Sequence, residues 1–211
     1  MHRHSPLNCI VPPYMLKNIA THGSDTQQAT AIGTLKISAQ LRGQRNALTD
    51  FTPAAFRVAS GTKDRIVYTA NNGSGLPGTP VRRENDPPSS DVAVNEAFDG
   101  SGITYDLYYN VYQRNSIDGN GMRLDSTVHY QKGYDNAFWN GEQMVYGDGD
   151  EDLPANERLF NRFTASIDVI GHELTHGVTQ FTAKLVYSFQ PGALNESMSD
   201  VFGSLVKQYS L

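Results

Sequence analysis

Apolar residues recur at helical spacing in the last third of the chain, and this pattern predicts two helices. The first is expected to start near Ile167, with Ser166 as its N-cap and Asp168 in the first turn, where the helix dipole favours negative charge. The second is expected to span Leu194–Tyr209. A chain reversal through residues 190–192, which include a Pro-Gly pair, would bring facing sides of the two helices together.

The first two thirds of the chain mix helical and strand-like patterns. The run Gln28–Leu41 is compatible with a helix, and so is Ala93–Val111, although Gly100 and Gly102 weaken that interpretation. Alternating apolar and polar residues predict the strands Arg65–Thr69 and Ser126–Tyr130. We therefore expect an α+β fold with a helical N-terminal extension, a β-rich middle and a helical last third.

Composition and charge narrow the classes of partner. The 211-residue chain has a formal net charge of −5 and no Lys/Arg-rich run, which argues against binding to nucleic acid. No stretch approaches the roughly 18–20 consecutive apolar residues of a membrane span, so no membrane partner is expected. Residues 1–20 lack the apolar core of a signal peptide, so we expect a cytoplasmic protein or one secreted by a non-classical route.

The candidate chemistry centres on the sequence His172-Glu173-Leu174-Thr175-His176. Residues four apart share one face of a helix, so both imidazoles can point at one metal ion at about 2.0–2.1 Å. Glu173 is then placed to act as general base toward a metal-bound water. The alternative is a pair of structural histidines, one in the core and one exposed.

A catalytic zinc usually has three protein ligands and one open position. Glu196, near the start of the second predicted helix, is the best candidate for the third ligand. Asp200 lies one turn further along the same face, where it can accept a hydrogen bond from a ligand histidine. The alternative is that these two carboxylates form a solvated acidic face.

Four segments together resemble the thermolysin-like zinc metallopeptidases, and the resemblance covers most of residues 60–211. They are Asn136–Gly141, Met144–Asp150, His172–His176 and Asn195–Asp200. The resemblance implies a zincin-type N-terminal catalytic domain, rich in β-structure, with the zinc-binding helix at its base. It also implies hydrolysis of peptides or proteins, with cleavage before bulky apolar residues.

The resemblance also implies roles for individual residues. It makes Glu196 the third zinc ligand and Asp200 the carboxylate that orients the first histidine. It makes Tyr187 a donor that stabilises the developing oxyanion, although a half-buried core tyrosine is the alternative. It places Asn136 and Ala137 on an edge strand that binds the substrate backbone, with a turn asparagine as the alternative for the former.

A short apolar head with Cys9, Pro12 and Pro13 resembles the Pro-Pro motif in the propeptide of the protealysin-like subgroup. By this resemblance residues 1–50 form an inhibitory propeptide that covers the cleft, and residues 51–211 form the N-terminal part of the catalytic domain. A proline-stiffened segment loses little entropy when it docks. The thiolate of Cys9 could occupy the open zinc position, but an inert thiol in a packed segment is the simpler interpretation. As the only cysteine, it can form no intramolecular disulfide.

Two positions depart from the family pattern. Lys207 stands where many members have a calcium-binding carboxylate, so calcium is not expected at that site. The chain also stops at Leu211, where family members continue into a mostly helical domain. We therefore expect that domain to be absent here and to exist as a missing segment or a second chain. Residues 1–211 alone are then expected to bind zinc but to be incomplete for catalysis.

Together these features predict the precursor of a zinc-dependent endopeptidase. A catalytically silent zinc-binding or interaction module is the main alternative, but the intact Glu173 argues against it because such a module needs no general base. A zinc hydrolase with a non-peptide substrate is a third interpretation. The resemblance of Asn136 and Ala137 to a peptide-binding edge disfavours it.

Overall fold

The computed structural model describes residues 10–48, 59, 61–185 and 189–211. Its α-helices are α1 (Pro13–His22), α2 (Asp25–Leu48), α3 (Val92–Asp106), α4 (Ile167–Phe181) and α5 (Phe189–Tyr209). Its strands are β1 (Arg65–Thr69), β2 (Thr79–Arg83), β3 (Leu124–Val128), β4 (Ala137–Trp139) and β5 (Met144–Tyr146). The predicted α+β class is therefore confirmed. Within the described part of the chain, no helix has the length and apolarity needed to cross a membrane.

The five strands form one mixed sheet in the order β2-β1-β3-β5-β4. The inner pairs β1/β3 and β3/β5 are parallel, whereas the outer pairs β1/β2 and β4/β5 are antiparallel. The predicted strand at 65–69 is confirmed, and the one predicted at 126–130 begins and ends two residues earlier. Strand β4 lies at an edge of the sheet and is fully buried, so another element of the protein must cover it.

The predicted helix at 93–111 is confirmed as α3, which continues as a π-helical turn over Leu107–Val111. Close packing explains why glycine stands at the two positions that weakened this prediction. A Cβ at Gly100 would collide with Ile170 of α4, and a Cβ at Gly102 would collide with the guanidinium of Arg65. Tertiary packing here outweighs the low helix propensity of glycine.

Helices α4 and α5 pack directly against each other, and two glycines permit their close approach. A Cβ at Gly203 would lie 2.6 Å from the carbonyl oxygen of Asp168, and a Cβ at Gly171 would lie 2.8 Å from Val206 Cβ. Both distances are too short for real atoms. The start of α4 near Ile167 is as predicted, but the Ser166 side chain makes no capping hydrogen bond.

Helix α5 begins at Phe189, five residues before the predicted start. The predicted reversal through residues 190–192 is wrong, because these residues form the first turn of the helix. Proline is tolerated there since the first N–H groups of a helix have no intrahelical partner. The chain instead turns away after α4, and Lys184 takes a left-handed conformation with φ 50°.

The N-terminal segment, defined here as residues 10–48, contains α1 and α2 and packs on the body of the protein. The predicted helix at 28–41 is confirmed within α2. Val11, Leu16 and Ala31 are buried in the same apolar cluster as residues of β4 and α4. This segment therefore shares its core with the elements that carry the candidate chemistry.

His129 lies between two acidic side chains and joins distant parts of the fold. Its Nε2 is 2.8 Å from Asp91 Oδ2, and its Nδ1 is 2.8 Å from Asp148 Oδ2. Asp91 also caps α3 by accepting a hydrogen bond from the N–H of Ala93. The hydrogen bond to Asp148, with the help of Asp91, outweighs burial and raises the pKa of His129 to about 9.

We predict that His129→Gln lowers the free energy of unfolding by about 2 kcal/mol near pH 6, because charge-assisted hydrogen bonds are lost. The folded pKa lies above the ordinary value of 6.5, so this contribution is complete below that pH and is lost as the pH rises through about 9. Denaturant unfolding at about pH 6 and about pH 10 measures it. His22→Gln, on the exposed face of α1, is the matched control, and an equal effect of His129→Gln at both pH values would contradict the assignment.

Candidate metal centre

Helix α4 brings the two predicted histidines together inside the protein. His172 and His176 lie one turn apart, are 3% and 0% exposed, and have their Nε2 atoms 3.1 Å apart. Glu173 is also fully buried and joins them in a compact group of potential metal ligands. The alternative of one core and one exposed histidine is therefore wrong, because both rings are buried and face each other.

Helix α5 contributes Glu196 to the same point. Its Oε2 lies 3.4 Å from His172 Nε2, and its Oε1 lies 3.8 Å from His176 Nε2. Tetrahedral ligands at about 2.0–2.1 Å from one ion are separated by about 3.3–3.4 Å. The three side chains thus have the spacing that a tetrahedral metal ion requires, and they fit such a group.

The outer nitrogen of the first histidine also faces a carboxylate, as predicted. Asp200 Oδ1 lies 2.9 Å from His172 Nδ1. Burial lowers the pKa of His172, but the neighbouring carboxylates, led by Glu196, outweigh it and leave the pKa raised. Asp200 is largely exposed, so its side chain reaches the ring from the solvent side of α5.

The second histidine has partners that the sequence analysis missed. His176 Nδ1 lies 2.8 Å from Asn195 Oδ1 and 3.0 Å from Ser199 Oγ, both fully buried on α5. Either oxygen can accept the proton of that nitrogen, which leaves Nε2 to face the metal position. The signal was present, since Asn195 and Ser199 are four residues apart and flank Glu196 on one helix.

Glu173 is oriented by the edge strand. The N–H of Trp139 in β4 donates a 3.0 Å hydrogen bond to Glu173 Oε2. The indole of Trp139 donates to Gln180 Oε1 of α4, and Gln180 Nε2 donates to the carbonyl of Gly141. Strand β4 and helix α4 are therefore fixed to each other on both sides of the carboxylate.

The predicted substrate-binding residues are both fully buried: Asn136 lies just before β4, and Ala137 is its first residue. Asn136 Oδ1 accepts a 2.9 Å hydrogen bond from the N–H of Val11, and Asn136 Nδ2 donates a 3.2 Å hydrogen bond to the Val11 carbonyl. The side-chain amide thus binds both polar groups of one residue in the N-terminal segment. Pro12 and Pro13 follow directly, and the latter is the first residue of α1.

Cys9 and Tyr187 lie outside the described residues, so their predicted roles stay predictions. Lys207 Nζ lies 2.8 Å from Asp168 Oδ2 and forms an ion pair between α5 and α4. This ion pair lies at the position where the sequence predicts that calcium does not bind.

Two family models match this chain, one on each side of the turn between α4 and α5. The model for the thermolysin metallopeptidase catalytic domain matches residues 25–180, and the model for the thermolysin metallopeptidase alpha-helical domain matches residues 183–211. The second match corrects the prediction that the helical domain is absent, because its beginning lies within this chain. The prediction failed because it assigned the second predicted helix to the catalytic domain, whereas the family model places residues 183–211 in the helical domain.

The chain is also similar to individual proteins along almost its whole length. It is 45% identical to an extracellular metalloprotease of Pectobacterium carotovorum subsp. carotovorum, over 98% of this chain and 57% of the relative. It is 47% identical to protease PrtS of a Photorhabdus species, over 96% of this chain and 53% of the relative.

Among solved structures, the precursor of protealysin, a metalloproteinase from Serratia proteamaculans, matches with a TM-score of 0.81 and 46% identity. The match covers 96% of this chain and 56% of that one. The chain thus spans about half the length of the relatives that it matches.

We predict that Asn195→Ala lowers zinc affinity roughly 10–100-fold, because His176 loses the nearer of the two acceptors that fix its ring and keeps only Ser199 Oγ. Competition with a chelator of known affinity measures the effect. Asn195→Asp keeps an acceptor and should retain most of the affinity, and Asn18→Ala on exposed α1 is the matched control. Unchanged affinity in a folded Asn195→Ala variant would show that this contact does not support the site.

Proposed function

This chain belongs to the thermolysin family of metallopeptidases, and we propose that it is part of a zinc endopeptidase precursor whose N-terminal segment blocks its own substrate site. The observation that carries the proposal is the convergence of His172, His176 and Glu196 from two helices on one buried point, with Glu173 beside them. We propose that these three residues hold the zinc ion. Asp200 and Asn195 then orient the two imidazoles.

When bound, zinc would polarise the scissile carbonyl and lower the pKa of a water molecule. Glu173 would take the proton from that water and pass it to the leaving amine, as general base and then general acid. The Trp139 N–H supports this role because it fixes the direction of the carboxylate before substrate arrives. Tyr187, which lies outside the described residues, remains the proposed donor to the oxyanion.

We propose that Asn136 and Ala137 bind the backbone of a peptide substrate. The contacts of Asn136 support this, because its amide pairs with the N–H and C=O of one residue, the two groups that any peptide offers. Family resemblance adds cleavage before bulky apolar residues as the expected specificity. Peptides and proteins are thus the proposed substrates.

The N-terminal segment is the proposed inhibitory propeptide. The backbone of Val11 is hydrogen-bonded to the side-chain amide of Asn136, and Val11 and Leu16 are almost fully buried against the body of the protein. Pro12 and Pro13 restrict the backbone beside Val11, so less entropy is lost when the segment docks. A substrate could not pair with Asn136 until this segment leaves.

The remainder of the helical domain is the proposed covering for the outer face of α5. Leu194, Met198 and Val201 on that helix are 51%, 39% and 51% exposed. Burying such apolar side chains is favourable at roughly 25 cal/mol per Å². We also propose that no calcium binds at Asp168, because the Lys207 ammonium already pairs with it.

We predict that Glu173→Gln keeps bound zinc but lowers peptide hydrolysis by about 10²–10⁴-fold, because the general base is lost. Glu196→Ala should lose both. Elemental analysis and a peptide cleavage assay test this on the protein that carries the whole helical domain and has had its N-terminal segment removed. Glu142→Gln, an exposed carboxylate in the β4–β5 turn, is the control. Full activity of Glu173→Gln would refute the assigned base.

We predict that Val11→Asp accelerates the appearance of peptidase activity about tenfold or more, because a charge cannot replace a buried apolar side chain without cost. The time course of peptide cleavage after dilution of the purified precursor measures it. Tyr14→Asp, at a 72% exposed position on α1, is the matched control. Equal time courses for the two variants would contradict an inhibitory role for Val11.

A further inference from the structure

Three consecutive residues just before β4 each bind the N-terminal segment. The Oη of Tyr134, the N–H of Asp135 and the Oδ1 of Asn136 all take part. Their partners, in the same order, are Ser38 Oγ at 3.3 Å, Thr34 Oγ1 at 3.1 Å and the Val11 N–H at 2.9 Å. Asp135 therefore lies at the centre of the contact between α2 and the body of the protein.

The carboxyl group of Asp135 is fully buried, and no hydrogen-bond donor in the described part of the chain reaches either of its oxygens. The proposed function does not use this group. An isolated ionised carboxylate is very costly to bury, so the protonated form is strongly favoured. The Asp135 side chain is thus buried at an interface in a form that depends on pH.

The charged groups around Asp135 add to this preference. From the loop after β5, Asp150 is 1% exposed and its negative charge acts on Asp135, while Asp152 acts on Asp150. From α2, the side chain of Thr34 is uncharged and that of Lys36 is exposed to solvent. No described cation therefore compensates Asp135.

Burial first, and the charge of Asp150 second, raise the pKa of Asp135 to about 8. Removal of α2 would hydrate the carboxyl group and return its pKa toward the ordinary value of 3.8. Between pH 3.8 and about pH 8, the docked state then binds more protons than the separated state. Docking is strongest below about pH 3.8 and is weakened as the pH rises through about 8.

We propose that Asp135 is a pH-sensitive contact that controls release of the N-terminal segment: its protonated form stays buried beneath α2, and its ionisation favours separation. The proposal rests on the proposed function in one respect, because the segment must be an inhibitor that can leave. It adds a condition for activation, namely that neutral to alkaline solution loosens the block and acidic solution preserves it.

Hydrogen exchange of the α2 backbone amides tests the proposal on the whole chain without any need for catalysis. Rates are measured at about pH 5 and about pH 8.5 and corrected for intrinsic exchange, with the α4 amides as the internal reference. In the wild-type protein, protection of α2 should fall about tenfold or more between the two pH values. In Asp135→Asn, which cannot ionise, it should stay nearly constant. His129 is intact in both proteins, so its titration cancels in the comparison.

Two further variants sharpen the test. Asp150→Asn removes the neighbouring charge and should move the midpoint of the loss of protection to lower pH. Glu142→Gln removes an exposed carboxyl and should leave the wild-type pH dependence unchanged. Protection that is high at both pH values in the wild-type protein would refute the role of Asp135 but leave the docked segment intact. Lack of protection of α2 at both pH values would refute docking itself, and with it both proposals.

Discussion

The candidate metal centre depends on how closely α4 and α5 approach each other. Gly171 and Gly203 lie at their contact, where any Cβ would meet atoms of the opposite helix at less than 3.0 Å. Because the backbones pass so near, α5 can place Glu196 and Asn195 within reach of the two histidines of α4. A larger residue at either glycine would separate the helices and disperse the site, even if every ligand were retained.

The short strand β4 connects the remaining parts of the arrangement. Its last residue, Trp139, orients Glu173 through a backbone hydrogen bond, while Asn136 just before it binds Val11 of the N-terminal segment. Asp135 lies one residue further back, beneath α2. The donor that orients the proposed base, the proposed substrate-binding residue, its contact with Val11 and the proposed pH-sensitive group thus lie on one stretch of backbone. A change in the docking of the N-terminal segment would directly alter the proposed substrate-binding residues.

The motif on α4 could be predicted from the sequence because helical periodicity is local and fixes which side chains share a face. The partners of His176 were missed although Asn195 and Ser199 flank Glu196 on one helix, because the rotation of α5 about its axis decides which of its polar side chains face the ring. The contact of Val11 with Asn136 joins residues 125 positions apart, and no local pattern encodes it. The start of α5 was misplaced because a Pro-Gly pair is typical of turns yet also fits a first helical turn. The expected absence of the helical domain was wrong for a different reason, since no local pattern shows that two helices forming one site belong to different family models.

We propose that His172, His176 and Glu196 bind one zinc ion, and X-ray absorption at the zinc edge of the zinc-loaded protein tests this assignment. We expect scattering from two imidazoles and from oxygen donors at about 2.0–2.1 Å. Glu196→Ala should remove an oxygen donor or the metal itself. Fewer than two imidazoles around the zinc, or a spectrum that Glu196→Ala does not alter, would contradict it.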